Sequence, residues 1–426
     1  MSEWKKVKLG DYCEITSSKR CLASVRSKNG IPFFCSKEII CLDKGEDFEP
    51  TDFIPEELYN DIKAKYGVPT SGDLLLTTRG TNGIPYIYKP SDKFYFADGN
   101  LSWFKNFGKE LSPQYLYYWF KSPLGIHEVD AISKGTAQKA VPIDGLRRIV
   151  LLTPSLHTQN RIVVILSRYD SLIENYQKQI KLLEEAAQRL YKEWFVDIRF
   201  PGYENTPVVD GVPEGWEKKS VGEIGTVITG KTPSTSNKEN YGGSIPFITI
   251  PDMHTGIYPV SSVFLSEKGA ESQSKKYIPQ GALIVSCIGT AGLVCITKER
   301  CQTNQQINSL ILDDKEMLHY MYFVFLSLKE HLNNIGSNGA TMTNVNKSKF
   351  EGIDIVVPSS CIIRDFSQRT TPYFENIKSL QSQLRLLTEA RDRLLPKRMS
   401  GKIALEARAE KEVLLATPYK GGDEAK

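Results

Sequence analysis

The feature that most constrains the fold is an internal repeat that runs along almost the whole chain. A Trp-x5-Gly pattern at Trp4 returns at Trp216, 212 residues later, and the tripeptide Ile-Pro-Phe at Ile31 returns at Ile245, 214 residues later. The motifs keep their order, while the distance between matching motifs changes slightly along the chain. Because insertions concentrate in surface loops, this pattern predicts two copies of one core, roughly 200 residues each. Four further matches follow in order as the offset falls to 204, and they begin at Gly72, Tyr115, Ser133 and Pro154.

Each copy ends in a heptad pattern, in which mostly apolar residues alternate at spacings of three and four. This spacing places the residues on one stripe of a helix and predicts a coiled-coil seam. A helix of about 35 residues spans roughly 50 Å, more than one compact domain needs, although a surface helix on such a domain is the alternative. The seam positions are Leu166, Tyr169, Ile173, Tyr176, Ile180, Leu183, Ala187, Leu190 and Trp194 in the first copy, and Thr370, Tyr373, Ile377, Leu380, Leu384, Leu387, Arg391 and Leu394 in the second.

The rest of each copy predicts a mixed α/β domain. Short β-branched or aromatic runs at 30–34, 73–78, 85–88 and 101–104 predict strands, and Ser112-Pro113 predicts the start of a helix over 115–121. A stretch rich in Pro and Gly ends the first long helix. The predicted divisions are 1–157 and 216–360 for two globular domains, 158–198 and 361–400 for two long helices, 199–215 for a linker and 401–426 for a C-terminal tail.

Composition and charge exclude several classes of protein. The formal charge of +4 is too small to indicate nucleic-acid binding by itself, so any basic surface has to be local. The first residues are charged where a secretory signal needs an apolar core, and the longest uncharged apolar stretch, 282–296, is too short to span a bilayer. The eight cysteines form no Cys-x-x-Cys pair, so we expect buried reduced thiols in a cytoplasmic protein, with no metal site.

Several motifs of common enzymes are missing from the sequence. There is no G-x-G-x-x-G, no Asn-Pro-Pro-aromatic or Asp-Pro-Pro-aromatic tetrapeptide and no G-x-S-x-G. A nuclease with paired carboxylates is harder to exclude, and Asp252 and Glu267 are its candidates, although unpaired surface acids are commoner. We therefore expect no catalytic residues, and a duplicated chain without them suggests recognition.

Three polar segments recur in both copies: a loop after the first strands, a Gly-Thr-x-Gly turn, and the segment after Ser-x-Gly. Lys and Arg contact phosphates and guanine, and Asn and Gln pair with adenine, so these segments are candidates for DNA contact. A solvated loop or an ordinary hairpin turn would look much the same. The candidates are Lys19, Arg20, Arg26, Lys28, Arg79, Thr81, Asn82, Lys134, Thr136, Gln138 and Lys139 in the first copy, and Lys231, Thr232, Ser234, Lys238, Thr290, Gln305, Thr341, Asn344, Asn346 and Lys347 in the second.

The ordered pattern resembles the specificity subunit of type I restriction-modification systems. The resemblance is carried by the start Pro-Glu-Gly-Trp at 213–216, by residues 152–162 (Leu-Thr-Pro-Ser-Leu-His-Thr-Gln-Asn-Arg-Ile) and by 337–342 with 357–359, and it covers the chain from Trp4 to about Gly401. The second copy departs from the pattern, because it lacks the Gln-x-Arg at Gln159 that opens the first long helix. The start of the second long helix is therefore left open.

The resemblance implies two pseudo-twofold-related target recognition domains separated by two long antiparallel coiled-coil helices. Such a molecule reads a bipartite sequence in double-stranded DNA, is not itself catalytic, and needs no cofactor of its own. Two methyltransferase (modification) subunits and the restriction/translocase subunits would bind it and would use S-adenosylmethionine, ATP and Mg²⁺. A DNA-cleaving enzyme and a protein-only adaptor are the alternatives. The partner-binding positions expected on the helices are Ile173, Tyr176, Ile180, Leu183, Leu190, Ile377, Leu380, Leu384, Leu387 and Leu394.

Overall fold

Contacts within the chain divide it into two units, and both long helices are shared between them. The computed structural model describes residues 4–135, 139–336 and 344–400. The first unit takes in the chain up to Glu174 and again from Leu387, and the second unit is Asn175–Leu386. The division therefore falls inside the helices, whereas the sequence-based division assigned them to neither globular domain.

The described residues of the first unit form nine strands and five α-helices before the first long helix. Leu74, Leu75 and Leu76 in its central strand are fully buried, so this strand forms a hydrophobic run rather than an alternating one. The strands are β1 (Lys5–Lys8), β2 (Glu14–Thr16), β3 (Ile31–Phe34), β4 (Phe53–Ile54), β5 (Leu74–Thr77), β6 (Pro85–Ile87), β7 (Tyr95–Phe96), β8 (Leu101–Lys105) and β9 (Val150–Thr153), and the helices are α1 (Ser36–Lys44), α2 (Glu56–Tyr66), α3 (Pro113–Lys121), α4 (Pro123–Ile132) and α5 (Ile143–Arg148).

The second unit repeats this organisation after the long helix α6 (Leu156–Tyr191) and a hairpin of β10 (Val208–Val209) and β11 (Val212–Pro213). The hairpin lies within the predicted linker. The remaining strands are β12 (Glu217–Ser220), β13 (Gly225–Thr229), β14 (Tyr241–Ile248), β15 (Val263–Leu265), β16 (Leu283–Ser286), β17 (Val294–Ile296), β18 (Gln302–Thr303), β19 (Ile307–Leu312) and β20 (Asp354–Val357), and the helices are α7 (Ile250–Met253), α8 (Glu267–Glu271), α9 (Leu318–Ser327), α10 (Lys329–Gly336), α11 (Lys347–Glu351) and α12 (Ser360–Met399).

The sheets of the two units have the same topology. The first unit has a four-stranded antiparallel sheet in the order β2-β8-β5-β6, a three-stranded sheet β4-β3-β7 and the pair β1-β9. The second unit has β13-β19-β16-β17, β15-β14-β18 and β12-β20, and the parallel pair β3-β7 of the first unit corresponds to the parallel pair β14-β18 of the second. This correspondence confirms the internal repeat. The four runs predicted as strands are β3, β5, β6 and β8, and the helix predicted over 115–121 lies inside α3.

The heptad stripe of each long helix is buried or half-buried. Along α6 and the turn that follows it, the stripe alternates between buried positions, such as Leu166, Ile173 and Ile180, and half-buried ones such as Tyr169 and Tyr176. In the first unit, Ile162 and Leu166 of α6 share a core with Leu395 and Met399 of α12. In the second unit the shared core contains Ile180, Ala187, Trp194, Phe366, Phe374 and Ile377.

Two contacts show that the helices run antiparallel within each unit. In the first unit, Asp170 of α6 pairs with Arg391 near the end of α12, with 2.9 Å between Nη1 and Oδ1. In the second unit, the ring of Trp194, just beyond the end of α6, lies 5.9 Å from that of Phe366 near the start of α12. Each core therefore combines the early part of one helix with the late part of the other.

The start of α6 is held by a buried glutamine. The Gln159 side chain is fully buried, accepts a hydrogen bond from the Ser112 amide at 2.9 Å, and donates to the Glu110 and Pro154 carbonyls at 2.8 and 3.0 Å. The second copy has Ile363 at the equivalent position, also buried, and α12 begins at Ser360 nonetheless. An apolar residue therefore replaces the polar anchor in the second copy.

Five of the eight cysteines are buried, as expected for structural thiols: Cys13, Cys21, Cys287, Cys295 and Cys301. Burial raises the pKa of Cys13 and Cys287 to about 12, which keeps them protonated and unreactive at neutral pH. Cys361 is exposed. Across residues 4–135, 139–336 and 344–400, no helix is both long enough and apolar enough to cross a membrane.

The buried His319 makes the stability of the second unit sensitive to acid. Its Nδ1 lies 2.9 Å from the Thr370 hydroxyl, and its ring stacks on Phe374 at 4.0 Å. Because the Thr370 hydroxyl donates to the Phe366 carbonyl at 2.8 Å, its oxygen accepts from the histidine. Burial disfavours the charged form of the ring and lowers the pKa of His319 to about 4.

We expect the free energy of unfolding to fall as pH drops from about 6.5 towards about 4. In this window the unfolded chain takes up a proton on His319 and the folded chain does not, which costs about 1.4 kcal/mol per pH unit at most. Urea titrations of the full chain from pH 4.5 to 7.5 measure this slope. His319→Phe should flatten it, whereas His254→Gln, at an exposed histidine, should leave it unchanged; equal slopes in wild type and His319→Phe would contradict the assignment.

Candidate nucleic-acid interface

One edge of the four-stranded sheet gathers the polar segments of each unit. In the first unit, Thr16, Thr77, Pro85 and Leu101, which end or begin strands, lie together at this edge by strand register. The strands β3 and β7 also end here, since the Ser36 hydroxyl, two residues after β3, donates to the Arg79 carbonyl at 2.9 Å. We call this surface the polar edge: residues 17–29, 78–84, 97–100, 134–135 and 139–140 in the first unit, and 230–238, 287–292, 304–306 and 344–347 in the second.

A buried hydroxyl clamps the Gly-Thr-x-Gly turn in both units. The Thr77 hydroxyl donates to the Thr81 carbonyl at 2.7 Å and accepts from the Ile84 amide at 2.9 Å. In the second unit, Ser286 donates to the Thr290 carbonyl at 2.6 Å and accepts from the Leu293 amide at 2.8 Å. The clamp fixes the turn on the sheet, so Arg79, Thr81 and Thr290 project from a rigid support. In the sequence, Thr77 and Ser286 occupy equivalent positions of the repeat, and this shared hydroxyl could have indicated the clamp.

The turn is joined to the segment that follows Ser-x-Gly. In the first unit, the Val141 amide donates to the Thr78 carbonyl at 2.9 Å, and Asn82 Nδ2 donates to the Lys139 carbonyl at 3.2 Å. Lys134 pairs with Ala140 through two backbone hydrogen bonds of 2.9 Å. The corresponding bond of the second unit joins the Val345 amide to the Cys287 carbonyl at 2.9 Å and places Asn344 beside the turn. The structure therefore brings Arg79, Thr81, Asn82, Lys134 and Lys139 together.

The loop after β2 is anchored to the same edge. Ser17 accepts from the Gly99 amide and donates to the Leu101 carbonyl, both at 3.3 Å, and the Lys19 amide donates to the Tyr95 hydroxyl at 2.6 Å. The Lys19 ammonium lies 4.8 Å from the ring centre of Tyr66. Exposed cations therefore stand on a fixed backbone.

Arg20 and Lys28 in this loop are also exposed, but Arg26 is engaged within the chain. Its guanidinium pairs with Asp52 at 2.9 Å and lies 4.8 Å from the ring centre of Phe33. The Arg26 guanidinium is thus already held by contacts within the protein.

The second unit presents hydroxyls and amides at the same place. The Lys231 amide donates to the Thr303 carbonyl at 2.9 Å, and the Thr232 hydroxyl donates to Gln305 Oε1 at 2.5 Å. Ser234 lies 2.8 Å from Ser236 through their hydroxyls, and its carbonyl accepts from Asn240 at 3.0 Å. Lys231 and Lys238 are exposed. This edge can offer more neutral donors and acceptors than the first.

Two candidates of the second unit have local structural roles. Asn346 caps α11 by accepting from the Lys349 amide at 2.9 Å, and Lys347 pairs with Glu351 at 3.4 Å. Asn344 remains exposed beside the turn. The candidates Thr136, Gln138 and Thr341 lie outside the described residues.

Comparison with known proteins identifies the family. The family model for the type I restriction modification DNA specificity domain matches residues 1–185 and 213–368, most of the chain. The chain belongs to this family. It is 30% identical to the type I restriction enzyme HindI specificity subunit of Haemophilus influenzae, over 95% of this chain and all of that protein. It is 29% identical to the MjaIX specificity subunit of Methanocaldococcus jannaschii, over 69% of each.

A solved structure supports the fold. The S subunit of the type I restriction-modification system from M. genitalium aligns with a TM-score of 0.63 at 15% identity, over 93% of this chain and 96% of that one. The two segments matched by the family model correspond to the two copies of the repeat, and each carries one polar edge. This specificity subunit therefore consists of two recognition domains of one fold.

The ten apolar helix positions expected to bind partners are buried or half-buried within the chain, and their role in partner binding stays a prediction. Ile173, Ile180 and Ile377 are buried, and the other seven are half-buried. Leu183, Leu190, Leu380 and Leu384 pack against the core of the second unit. The exposed apolar residues of the helices are others, including Val164, Leu182 and Leu386, which the heptad pattern did not select.

The two carboxylates proposed for a nuclease have different surroundings. Asp252 is buried and accepts from the Thr249 amide and hydroxyl at 2.8 Å and from the Ser262 amide at 2.9 Å. It caps α7, as Glu38 caps α1 in the first unit by accepting from the Cys35 amide at 2.9 Å. Glu267 is exposed at the start of α8. Asp252 therefore serves as a helix cap.

Removing the hydroxyl clamp should loosen the turn that carries the candidate residues. Thr77→Val and Ser286→Ala each remove the hydroxyl that bonds a half-buried amide and a turn carbonyl, and we expect a loss of about 1–3 kcal/mol in the free energy of unfolding. Hydrogen exchange of the amides of Ile84 and Leu293 should accelerate. Thr77→Ser, which keeps the hydroxyl, is the matched control; unchanged exchange in Thr77→Val would contradict the role of the clamp.

Proposed function

We propose that the chain is the DNA-reading subunit of a type I restriction-modification complex and that each polar edge reads one half of a bipartite target. The observation that carries the proposal is the recurrence of one edge in both units. The strand ends, the hydroxyl clamp and the attached segment are the same, whereas the exposed side chains differ. Two half-sites of different sequence require different contacting side chains, and the same backbone can carry both sets.

The exposed side chains fit the chemistry of duplex DNA. Lys19, Arg20, Arg79, Lys134 and Lys139 in the first unit are exposed cations that can neutralise phosphates or reach guanine. The second unit offers Thr232, Gln305 and Asn344, whose groups match base edges better than phosphates. The first half-site therefore depends more on charge, and the second more on neutral hydrogen bonds.

We further propose that the chain is not catalytic and acts in the cytoplasm with partners that carry the chemistry. Two methyltransferase (modification) subunits would use S-adenosylmethionine, and the restriction/translocase subunits would use ATP and Mg²⁺. The hydrogen bonds by which Asp252 caps a helix support a non-catalytic role for that carboxylate. Because the heptad positions are packed within the chain, partners would contact exposed helix residues such as Leu182 and Leu386.

Methylome sequencing of the host with and without this gene tests the proposal. We expect loss of one bipartite N6-methyladenine motif when the gene is deleted. Exchange of residues 216–360 for those of another family member should change one half of the motif and leave the other half intact. An unchanged methylome in a strain whose methyltransferase is active would contradict the proposal and favour a protein-only adaptor.

Arg79→Ala should weaken DNA binding in a salt-dependent way. Loss of one phosphate contact reduces the slope of log K against log salt by about 0.9, or about eightfold in affinity at 0.1 M salt compared with 1 M. Binding of the assembled methyltransferase complex to its target duplex, measured from 0.05 to 0.3 M salt, gives the slope. The control is Lys89→Ala, because Lys89 follows β6 at the opposite edge of the same sheet. Equal slopes in the two variants would rule out Arg79 as a phosphate contact.

A further inference from the structure

We infer that Gln305 reads an adenine in the half-site bound by the second unit. The inference rests on the proposed function and goes beyond it by assigning one side chain to one base. Gln305 lies on the tight turn between β18 and β19, in the middle of the polar edge. The Thr232 loop lies on one side, and the Gly289 turn lies on the other, where the Cys287 amide binds the Gln306 carbonyl at 2.8 Å.

The backbone around Gln305 is held on both sides. The Asn304 amide donates to the Ile248 carbonyl, and the Ile307 amide donates back to the Asn304 carbonyl, each at 3.2 Å. The first bond joins the turn to the end of β14, and the second closes it. The support therefore moves little when a ligand arrives, so less ordering is needed on binding.

The three neighbouring amides of this turn have different surroundings. Asn304 is buried, and its Nδ2 donates to Gln306 Oε1 at 3.0 Å, while its Oδ1 accepts from the Gln306 amide at 3.1 Å. These two side chains therefore hold each other. Gln305 is exposed and bonds only to Thr232 within the described part of the chain. It is the amide of this turn that can reach a ligand.

Thr232 orients the Gln305 carboxamide. Its hydroxyl donates to Oε1 at 2.5 Å, which leaves a second lone pair on Oε1 and both hydrogens of Nε2 for a partner. Adenine presents an acceptor, N7, beside a donor, the N6 amino group, and a carboxamide matches both at once. Guanine presents two acceptors there, so Oε1 would face O6 without a proton between them. The oriented amide thus favours adenine over guanine.

The first unit provides an internal comparison. Its equivalent turn, between β7 and β8, is closed by the Asn100 amide and the Ala97 carbonyl at 3.3 Å and has Asp98 and Gly99 at its corners. A hydroxyl again contacts the turn, since Ser17 accepts from the Gly99 amide. No carboxamide stands where Gln305 stands. The adenine contact is therefore assigned to the second half-site alone.

The test measures binding of the assembled methyltransferase complex to duplexes in which each adenine of the second half-site is replaced in turn. The replacements are 7-deazaadenine, which lacks N7, and purine, which lacks the N6 amino group. At one position we expect both replacements to weaken wild-type binding by about 5-fold to 150-fold, the range for one bidentate base contact. In Gln305→Ala, the same replacements should have no further effect, because the contact is already gone.

Variants of Thr232 separate orientation from folding. Thr232→Val removes the hydroxyl and keeps the shape, so discrimination between adenine and guanine should fall at the same position, whereas Thr232→Ser should retain it. In the host, Gln305→Ala should relax one position of the second half of the methylated motif and leave the first half unchanged.

Two outcomes would overturn the inference: equal effects of the base replacements in wild type and Gln305→Ala, or an unchanged motif in Gln305→Ala. Absence of any bipartite motif with the wild-type chain would instead overturn the proposed function. The two failures are therefore distinguishable.

Discussion

The core of each unit closes only when two helix segments from distant parts of the sequence pack together. The first unit uses the beginning of α6 and the end of α12, and the second uses the remaining halves. Leu116, Phe120 and Leu146 of the first unit share their core with side chains of α6 and α12. Without those two helix segments, this core would be incomplete. The two copies are therefore repeats in sequence but are not independent halves in structure, because α12 completes the first copy.

The two copies stabilise their helix contacts in different ways. In the first unit, Asp170 accepts from the Tyr118 hydroxyl at 2.6 Å and from Arg391 at 2.9 Å. The repeat places Phe323 and Phe374 at the positions equivalent to Tyr118 and Asp170, and their rings lie 6.0 Å apart. A half-buried charge needs a partner, whereas an aromatic pair needs only a close fit. The same backbone arrangement is thus stabilised by polar contacts in one unit and by aromatic contacts in the other. The exposed side chains of the polar edge also differ between the two units.

The sequence alone predicted the repeat, four strands of the first unit, helix α3 and the heptad stripe. The strands, α3 and the heptad stripe depend on local spacing. The strands are short runs bounded by Gly and Pro, Ser112-Pro113 precedes α3, and the stripe alternates from Leu166 to Trp194. Local spacing could not reveal Gln159 as the anchor of α6, because Ser112 and Glu110 lie more than forty residues away in sequence. Nor could it show that Arg26 pairs with Asp52 or that Asp252 caps a helix.

The sequence by itself determined the duplication, the class of fold and which segments are polar, because repeats and periodicity are properties of residue order. The tertiary structure decided which polar residues share a surface. Strand register places Thr77, Leu101 and the loop from Ser17 at one edge, and side-chain hydrogen bonds bring Lys139 to Asn82 and the Thr232 loop to Gln305. These pairs are 57 and 73 residues apart, and only the closed sheets bring them within hydrogen-bonding distance.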